Sequence, residues 1–261
     1  MNNDLLQFNK FAKLHNGKDI FFCKTDYLLE LFSSLKNHNT PSILITGNSD
    51  YPITDELVST APPCIYRWFG VSVTTSNKIV TQLPHGLENT EDCILQGHGV
   101  GHFRPEKLMI AQNPPVRQSR KEVYANFSLN THPVRQEVNR ICESLPHVTT
   151  RMCSNYLEMD SKPYIQFASE VLDHKMIVCP RGNAPGDTHR FWEVLYMNRT
   201  PIIKRDKSTY IFTELPVIVL DEWEQLSDLE FLNSELERVK NNSREMLKMS
   251  YWENLILNER E

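Results

Sequence analysis

Short apolar runs separated by polar, turn-forming stretches recur along the whole chain. In the first half these runs predict strands over residues 19–23, 42–46, 65–69 and 78–80, with a helix over 27–35 between the first two. Strands that alternate with helices are typical of an α/β domain whose sheet is largely parallel.

The alternation stops at an irregular stretch, 96–115, that is rich in glycine, histidine and proline, and then begins again. The predicted strands of the second half are 122–127, 176–178, 200–203 and 216–220, and its predicted helices are 135–144, 161–172 and 228–257. The pattern therefore predicts an α/β protein with two domains facing a cleft. We place the domains at 1–115 and 116–240, and expect the last segment, 241–261, to pack back on the first domain.

Composition narrows the class of protein. The chain has 261 residues, of which 40% are hydrophobic and 23% charged, as in ordinary globular proteins. Its formal net charge of -5 gives no general attraction to nucleic acid. Six cysteines lie far apart without a CxxC pair, which favours free thiols in a reducing compartment. No signal-like start or membrane-length apolar run is present, so we expect a cytoplasmic protein.

The loop and helix start at 179–193 carry the strongest chemical signal. Arg181 follows the strand at 176–178 by a few residues, where parallel sheets place their ligands. Thr188 is a candidate helix N-cap, which puts His189 and Arg190 in the first turn. Basic residues are unfavourable there unless an anion lies nearby, so we expect a diphosphate site. Arg181 could instead cap the strand or pair with an acid.

Glu193 lies three and four residues after Arg190 and His189, and therefore on their face of the helix. A carboxylate at this position is suited to accept the hydroxyls of a ribose. The alternative is an ion pair with Arg190 within the helix.

In the first half, Asp50 lies in the loop after the strand at 42–46, where a carboxylate facing the cleft could deprotonate an acceptor hydroxyl. A plain turn explains the same residues equally well. His85 and Glu88 are further candidates. His98 and His102 have the spacing of metal ligands on a helix, but three glycines between 97 and 101 favour a flexible loop near the cleft.

The chain resembles the exostosin-like glycosyltransferases and, within related enzymes, the ribitol xylosyltransferase type. The segments that carry the resemblance are CPRGN (179–183), DTHRFWEVLY (187–196), PII (201–203), ELPV (214–217) and DEW (221–223), and more loosely LPHGLEN (83–89) and NFS (126–128). The specific match spans 176–224. A short microbial or viral member of this group fits the length of the chain.

The resemblance implies the GT-B fold, in which two Rossmann-like domains face a central cleft and the C-terminal one holds a nucleotide sugar. It implies that no metal or other cofactor is needed. By this resemblance Arg181, His189 and Arg190, with the loop at Gly182 and Asn183, bind the diphosphate. Glu193 would then bind the ribose, and an inverting reaction would need a base, for which Asp50 is the candidate.

These observations predict a glycosyltransferase that moves a sugar from a nucleotide donor, most plausibly UDP-linked, to a hydroxyl acceptor. The acceptor would be a glycan, a lipid-linked glycan or a hydroxymethylated base in phage DNA. The basic residues between 104 and 121 are the reason why a DNA base stays among the expected acceptors. Two alternatives are a nucleotide-sugar epimerase and a non-catalytic nucleotide- or glycan-binding module of the same fold.

Overall fold

The protein contains two parallel β-sheets, which follow one another along the chain. The computed structural model describes residues 4–90, 104–155, 158 and 163–260. The first sheet has the order β1-β2-β3-β4, and all neighbouring strands are parallel. Its strands are β1 (Ile20–Lys24), β2 (Ser42–Gly47), β3 (Ile65–Gly70) and β4 (Val80–Gln82).

The second sheet has five parallel strands in the order β6-β5-β7-β8-β9. Its strands are β5 (Lys121–Ala125), β6 (Val148–Thr150), β7 (His174–Val178), β8 (Thr200–Lys204) and β9 (Ile218–Leu220). The strand order reverses between β5 and β7, which creates a crevice beyond their carboxyl ends. The described strands of the first sheet show no such reversal, so the second sheet supplies the preferred ligand position.

Helices connect and cover the strands. Those of the described residues are α1 (Leu28–Ser34), α2 (Asp55–Ser59), α3 (Pro105–Gln112), α4 (Val134–Glu143), α5 (Tyr164–Asp173), α6 (His189–Tyr196), α7 (Leu229–Val239) and α8 (Met249–Asn258). On α4, Arg135, Val138 and Cys142 are buried at spacings of three and four residues, so one stripe of this helix faces the core. Short 3-10 helices, among them Phe8–Leu14, fill the remaining connections.

One hydrophobic core runs through both halves of the chain. It includes Ile43 and Ile45 of β2, Ile177 of β7 and the buried rings of Phe8 and Trp192. Two further clusters cover the opposite faces of the sheets, beneath α1 and α2 on the first sheet and beneath α4 and α7 on the second. The shared core fixes the two halves against each other by burial of apolar surface.

The last helix, α8, lies against the N-terminal half. Its buried Trp252 belongs to the shared core. The backbone N–H of Ser250 donates to Asp4 at 2.7 Å, and Glu259, just beyond the helix, forms an ion pair with Arg67 at 2.7 Å. The hydroxyl of Tyr196 in α6 accepts from the backbone of Leu6 at 2.8 Å, which joins the C-terminal half to the same region.

The structure confirms the prediction of an α/β protein with two largely parallel sheets. Two local predictions were wrong, and one short strand had no prediction. The stretch 228–257 is two helices, α7 and α8, separated by a connection from residue 240 to 248. Part of the irregular stretch 96–115 forms α3, which begins with a proline in its first turn. The short strand β6 carried no clear apolar run and was not predicted.

The described cysteines are buried free thiols: Cys23, Cys64, Cys142, Cys153 and Cys179. Within the described ranges, no helix has both the length and the apolar character required to cross a bilayer. Both findings concern only those ranges, since Cys93 lies outside them.

Candidate functional site

A cavity of about 610 Å³ opens beyond the carboxyl ends of β5 and β7, where the strand order of the second sheet reverses. The C-terminal half supplies most of its wall, including Asn126 and Ser128 after β5 and the loop after β7. The N-terminal half supplies Asp50, His85 and Glu88. We call this space the main cavity. Because both halves line it, a ligand held by one half can meet reactive groups of the other.

Arg135 ties together the two strand-end loops that form the floor of the main cavity. Its guanidinium donates to the carbonyl oxygens of Arg181 at 2.8 Å, Ser128 at 3.1 Å and Pro180 at 3.4 Å. Burial, and then the charge of Arg190, lower the pKa of Arg135 to about 10. Arg135 therefore remains a cation at neutral pH and makes the floor of the cavity positive.

His85 and Asp187 form a hydrogen-bonded pair across the two halves. The Nδ1 atom of His85 lies 3.0 Å from Oδ1 of Asp187, and the backbone N–H of His85 donates to Oδ2 at 2.8 Å. The indole Nε1–H of Trp192 donates to the same carboxylate. Since an ionised carboxylate only accepts hydrogen bonds, the proton of the His85 ring lies on Nδ1. Nε2 is then the nitrogen that can accept a proton.

The charges of this pair stabilise each other. Burial alone would lower the pKa of His85, but the charge of Asp187 and their hydrogen bond outweigh it and raise the pKa above its usual value; Asp50 adds to the increase. Burial would raise the pKa of Asp187, but His85 and the hydrogen bond from Trp192 hold it below its usual value. A histidine oriented by a buried carboxylate is the arrangement that general-base catalysis uses.

The first turn of α6 faces the main cavity. Thr188 is the N-cap residue, as predicted, but its side chain makes no capping hydrogen bond. The Nδ1–H of His189 donates to the carbonyl oxygen of Gly86 at 2.8 Å, and burial lowers the pKa of its ring. His189 is consequently neutral at neutral pH without a ligand. An anion at Nε2 would favour the protonated ring, so anion binding here is coupled to proton uptake.

Arg190 stands between β5 and α5. Its Nη1 donates to the backbone oxygen of Asn126 at 2.6 Å, and its guanidinium lies 3.7 Å from the centre of the Phe167 ring. Its Nε lies 3.2 Å from Oε2 of Glu193, the pairing within the helix that the sequence left as an alternative. Arg190 is thus fixed in one orientation and lines the cavity with its charge.

Glu193 is 3% exposed and does not line the main cavity. Besides Arg190, its carboxylate pairs with Lys107 of α3, whose Nζ lies 3.1 Å from Oε1. Lys107 also pairs with Glu88 of the N-terminal half at 3.1 Å. Burial would raise the pKa of Glu193, but Lys107 and Arg190 lower it. In this geometry Glu193 orients two cations, and its contact with a ribose stays a prediction.

Asp50 and Asn183, two other residues predicted from the sequence, meet at the mouth of the main cavity. The side-chain amide of Asn183 donates to Oδ2 of Asp50 at 3.2 Å, and both residues are exposed. Gly182 lines the same cavity. The geometry brings Asp50 to the expected cleft. It also gives His85 a buried partner, which Asp50 lacks.

Arg181 faces a smaller cavity of about 210 Å³, shared with Lys204 and Asp206. Its guanidinium donates to the backbone oxygens of Gly182 at 3.3 Å and Asn183 at 2.8 Å, and so holds its own loop in shape. The expected contact of the Arg181 side chain with a diphosphate stays a prediction, since this side chain does not line the main cavity.

A second cavity of about 380 Å³ adjoins the main cavity. It lies beyond the carboxyl ends of β5 and β6, beneath α5 and beside α3. Asn126 and Arg190 line both spaces, so they form the junction between them. We call it the second cavity.

Most basic residues of the segment 104–121 are paired with acids. Arg117 and Arg120 lie 2.7 and 3.3 Å from Asp173, and Lys121 lies 3.5 Å from Glu170. These pairs reduce the positive field that a nucleic acid would need. No group of three or more potential metal ligands occurs among the described residues. His98 and His102 lie outside the described ranges.

Sequence reasoning missed Arg135, Ser128 and the role of Asp187. One signal was available for Arg135, because it shares the spacing of Val138 and Cys142 on the apolar stripe of α4. A charged residue on such a stripe is buried when the helix packs, and it then needs hydrogen-bond or ion-pair partners in the interior. Ser128 is 2% exposed and its hydroxyl has no hydrogen-bond partner among the described residues, although the residue lines the main cavity. No local pattern distinguishes it from other loop serines.

A scan of protein-family models gives no match to this chain, and a comparison with curated proteins gives none either.

Proposed function

We propose that the protein is a glycosyltransferase of the GT-B type that transfers a sugar from a nucleoside-diphosphate donor to a hydroxyl acceptor. The observation that carries the proposal is the composition of the main cavity. Its lining includes Arg135, Arg190 and the start of α6 from the C-terminal half and, from the N-terminal half, His85, which is paired with Asp187. Anion-binding groups beside an oriented base are what displacement of a diphosphate by a hydroxyl requires.

The chemistry can be assigned to named atoms. The diphosphate binds near Arg190, the first turn of α6 and the hydroxyl of Ser128, which then gains a hydrogen-bond partner. Nε2 of His85 takes the proton of the acceptor hydroxyl as its oxygen bonds to the anomeric carbon. The bond from that carbon to the diphosphate oxygen breaks, and the diphosphate leaves with the electron pair. Protonation of His189 offsets part of its charge.

This assignment replaces Asp50 by His85 as the base. His85 is oriented by the buried Asp187, whereas Asp50 is exposed and accepts a hydrogen bond from Asn183, which is exposed too. Orientation favours His85 because a base must stay within hydrogen-bond reach of the proton it removes. Inversion at the anomeric carbon follows from such a single displacement.

A glycan or lipid-linked glycan is the proposed acceptor class. The ion pairs of Arg117, Arg120 and Lys121 with acids, together with the net charge of -5, disfavour a nucleic acid. Asp50 lines the main cavity and is exposed, so the cavity reaches the surface on the side where a chain of sugars would enter.

The direct test is calorimetric binding of UDP, GDP, dTDP and ADP, each with and without EDTA, followed by release of nucleoside diphosphate from the matching nucleotide sugar. We expect one nucleotide to bind selectively, without dependence on EDTA, and its sugar form to be hydrolysed or transferred. His85→Gln should bind the nucleotide like the wild type but lose turnover by about 10²- to 10⁴-fold.

The rival functions give different results. A binding module binds the nucleotide but shows no turnover in the wild type. An epimerase converts one nucleotide sugar into another without release of the diphosphate. Absence of binding by the folded wild-type protein to every nucleotide in the panel would contradict the proposal.

A further inference from the structure

We propose that Lys107 is a positioning residue for the diphosphate, because it neutralises the carboxylates of Glu88 and Glu193. Arg190 then meets the ligand without surplus negative charge beside it. This inference rests on the proposed function and adds a residue to it. Lys107 lies in α3, outside every segment that carries the motif resemblance, and does not line the main cavity. It acts on the diphosphate through the residues with which it pairs.

Four mostly buried charges form one chain across the two halves. Nζ of Lys107 lies 3.1 Å from Oε2 of Glu88 and 3.1 Å from Oε1 of Glu193. The other oxygen of Glu193, Oε2, lies 3.2 Å from Nε of Arg190. Positive and negative charges therefore alternate from the N-terminal half, through α3, to the first turn of α6.

Lys107 is held as a cation in one place. Burial would lower its pKa, but the charges of Glu193 and Glu88 outweigh burial and raise the pKa above its usual value. Nζ also lies 5.6 Å from the centre of the Tyr164 ring, where the face of the ring attracts a cation. Since Glu193 has one oxygen on Lys107 and the other on Arg190, its carboxylate cannot rotate without breaking an ion pair. The orientation of the Arg190 guanidinium thus depends on Lys107.

The charges of this chain cancel only while Lys107 is present. Its two carboxylates match two cations, whereas loss of Lys107 leaves one uncompensated negative charge. Glu88 and Arg190 both line the main cavity, so this charge would lie beside a bound diphosphate and repel it.

The charges of Lys107 and Glu88 reach the first turn of α6. Burial does most to lower the pKa of His189. Of the charges around this ring, Glu88 raises the pKa, whereas His85 and Lys107 lower it. Because His189 lines the main cavity, an anion bound there lies within reach of the same two charges.

The test removes the charge of Lys107 and keeps most of its apolar stem, by Lys107→Met. Lys175→Met is the matched control. Lys175 of β7 also pairs with a glutamate, Glu122, at 2.7 Å, and neither residue lines the main or the second cavity. The probes are inorganic pyrophosphate and the nucleoside diphosphate that the wild type binds most tightly, both measured by calorimetry on folded protein.

We expect Lys107→Met to weaken both probes by at least about tenfold, because a unit charge several ångströms from the diphosphate has an effect of this size in a partly buried site. Lys175→Met should bind both probes like the wild type. Unchanged affinity of folded Lys107→Met for pyrophosphate would overturn the inference and leave Lys107 a purely structural role.

A second variant tests the same charges with the opposite sign. Glu88→Gln keeps Lys107 paired with Glu193, so it does not depend on the folding of Lys107→Met, and it should bind pyrophosphate about threefold more tightly than the wild type. Weaker binding by folded Glu88→Gln would contradict the charge argument.

The double variant Lys107→Met/Glu88→Gln matches one carboxylate to one cation again. It should recover pyrophosphate affinity to within about threefold of the wild type. A double variant as weak as Lys107→Met would contradict the inference, since neutralising Glu88 would then repair nothing.

The failure of the proposed function gives a separate result. In that case the folded wild-type protein binds neither pyrophosphate nor any nucleoside diphosphate, and the inference falls with it. When the wild type binds and turns over a nucleotide sugar, the comparison of Lys107→Met with Lys175→Met judges the role of Lys107 alone.

Discussion

The ring of His85 lies 3.0 Å from the carboxylate of Asp187, although the two residues are 102 positions apart and come from opposite halves of the chain. Asp187 is 4% exposed and is also bound by Trp192, so its position is fixed by the core. The pair joins the N-terminal half to the loop before α6. Any change in the contact between the halves therefore alters the candidate base.

Asp187→Asn should reduce turnover by about 10²- to 10⁴-fold while nucleotide affinity changes little, because the ring of His85 loses its orienting carboxylate. The raised pKa of His85 puts the acidic limb of the wild-type rate profile above pH 6.5. Without the carboxylate that limb should move to lower pH. A pH–rate profile measured from pH 5 to 9 checks both effects, and an unmoved limb would contradict the pairing.

Asp50→Asn should lower turnover by less than about tenfold if His85 is the base, since Asp50 is exposed and is held by the exposed amide of Asn183 and not by a buried group. The measurement is the rate of nucleoside diphosphate release under saturating donor. A loss as large as that of His85→Gln would restore Asp50 as the base.

The His85–Asp187 pair should also make stability depend on pH. A raised pKa stabilises the fold fully below about pH 6.5, and this stabilisation is lost as the pH rises through the raised value. The lowered pKa of Asp187 stabilises the fold above about pH 3.9, and this stabilisation is lost as the pH falls through the lowered value.

The charged and titratable neighbours of His85 are Asp187, Asp50 and His189. Only the charge of His85 is removed in His85→Gln. The difference in unfolding free energy between the wild type and this variant should be largest between about pH 4 and 6.5 and smaller at pH 9. Urea unfolding at each pH measures it, and a constant difference would refute a charged pair.

Glu193→Gln should lower the free energy of unfolding by about 3–5 kcal/mol, because it removes the buried carboxylate that pairs with both Arg190 and Lys107 and leaves Lys107 to pair with Glu88 alone. The control is Glu245→Gln, which removes an exposed pair with Lys248 and should have no measurable effect. Chemical denaturation compares them. An unaltered stability with lost nucleotide affinity would support the ribose contact instead.

Gly86→Ala should destabilise the protein by about 1–3 kcal/mol. Gly86 has a φ of +71°, and an added Cβ would lie 2.5 Å from the carbonyl oxygen of Leu6. The same residue accepts the hydrogen bond of His189, so nucleotide affinity should fall as well. Gly182→Ala is the control for stability, since its nearest neighbour, the side chain of Thr188, would be 3.7 Å away. Thermal unfolding distinguishes the two variants.

Local patterns predicted what depends on neighbours in sequence. The apolar runs predicted most of the strands because a buried parallel strand must be apolar over several residues. The spacing of Arg190 and Glu193 predicted their shared helix face because a helix brings residues three apart together. Helix α3 was not predicted, because its residues Pro105–Gln112 show little amphipathic pattern. Strand β6 has three residues and was too short to give a signal.

Residues adjacent in the chain were enough to predict the α/β class, the strand-end loop at 179–188 and the cations that begin α6. Three contacts could be seen only in the folded protein: Asp187 with His85, Lys107 with Glu193, and Arg135 with the loops beneath the cavity. These contacts join distant segments, and a buried charge must find its partner wherever packing of the core brings one within hydrogen-bond distance.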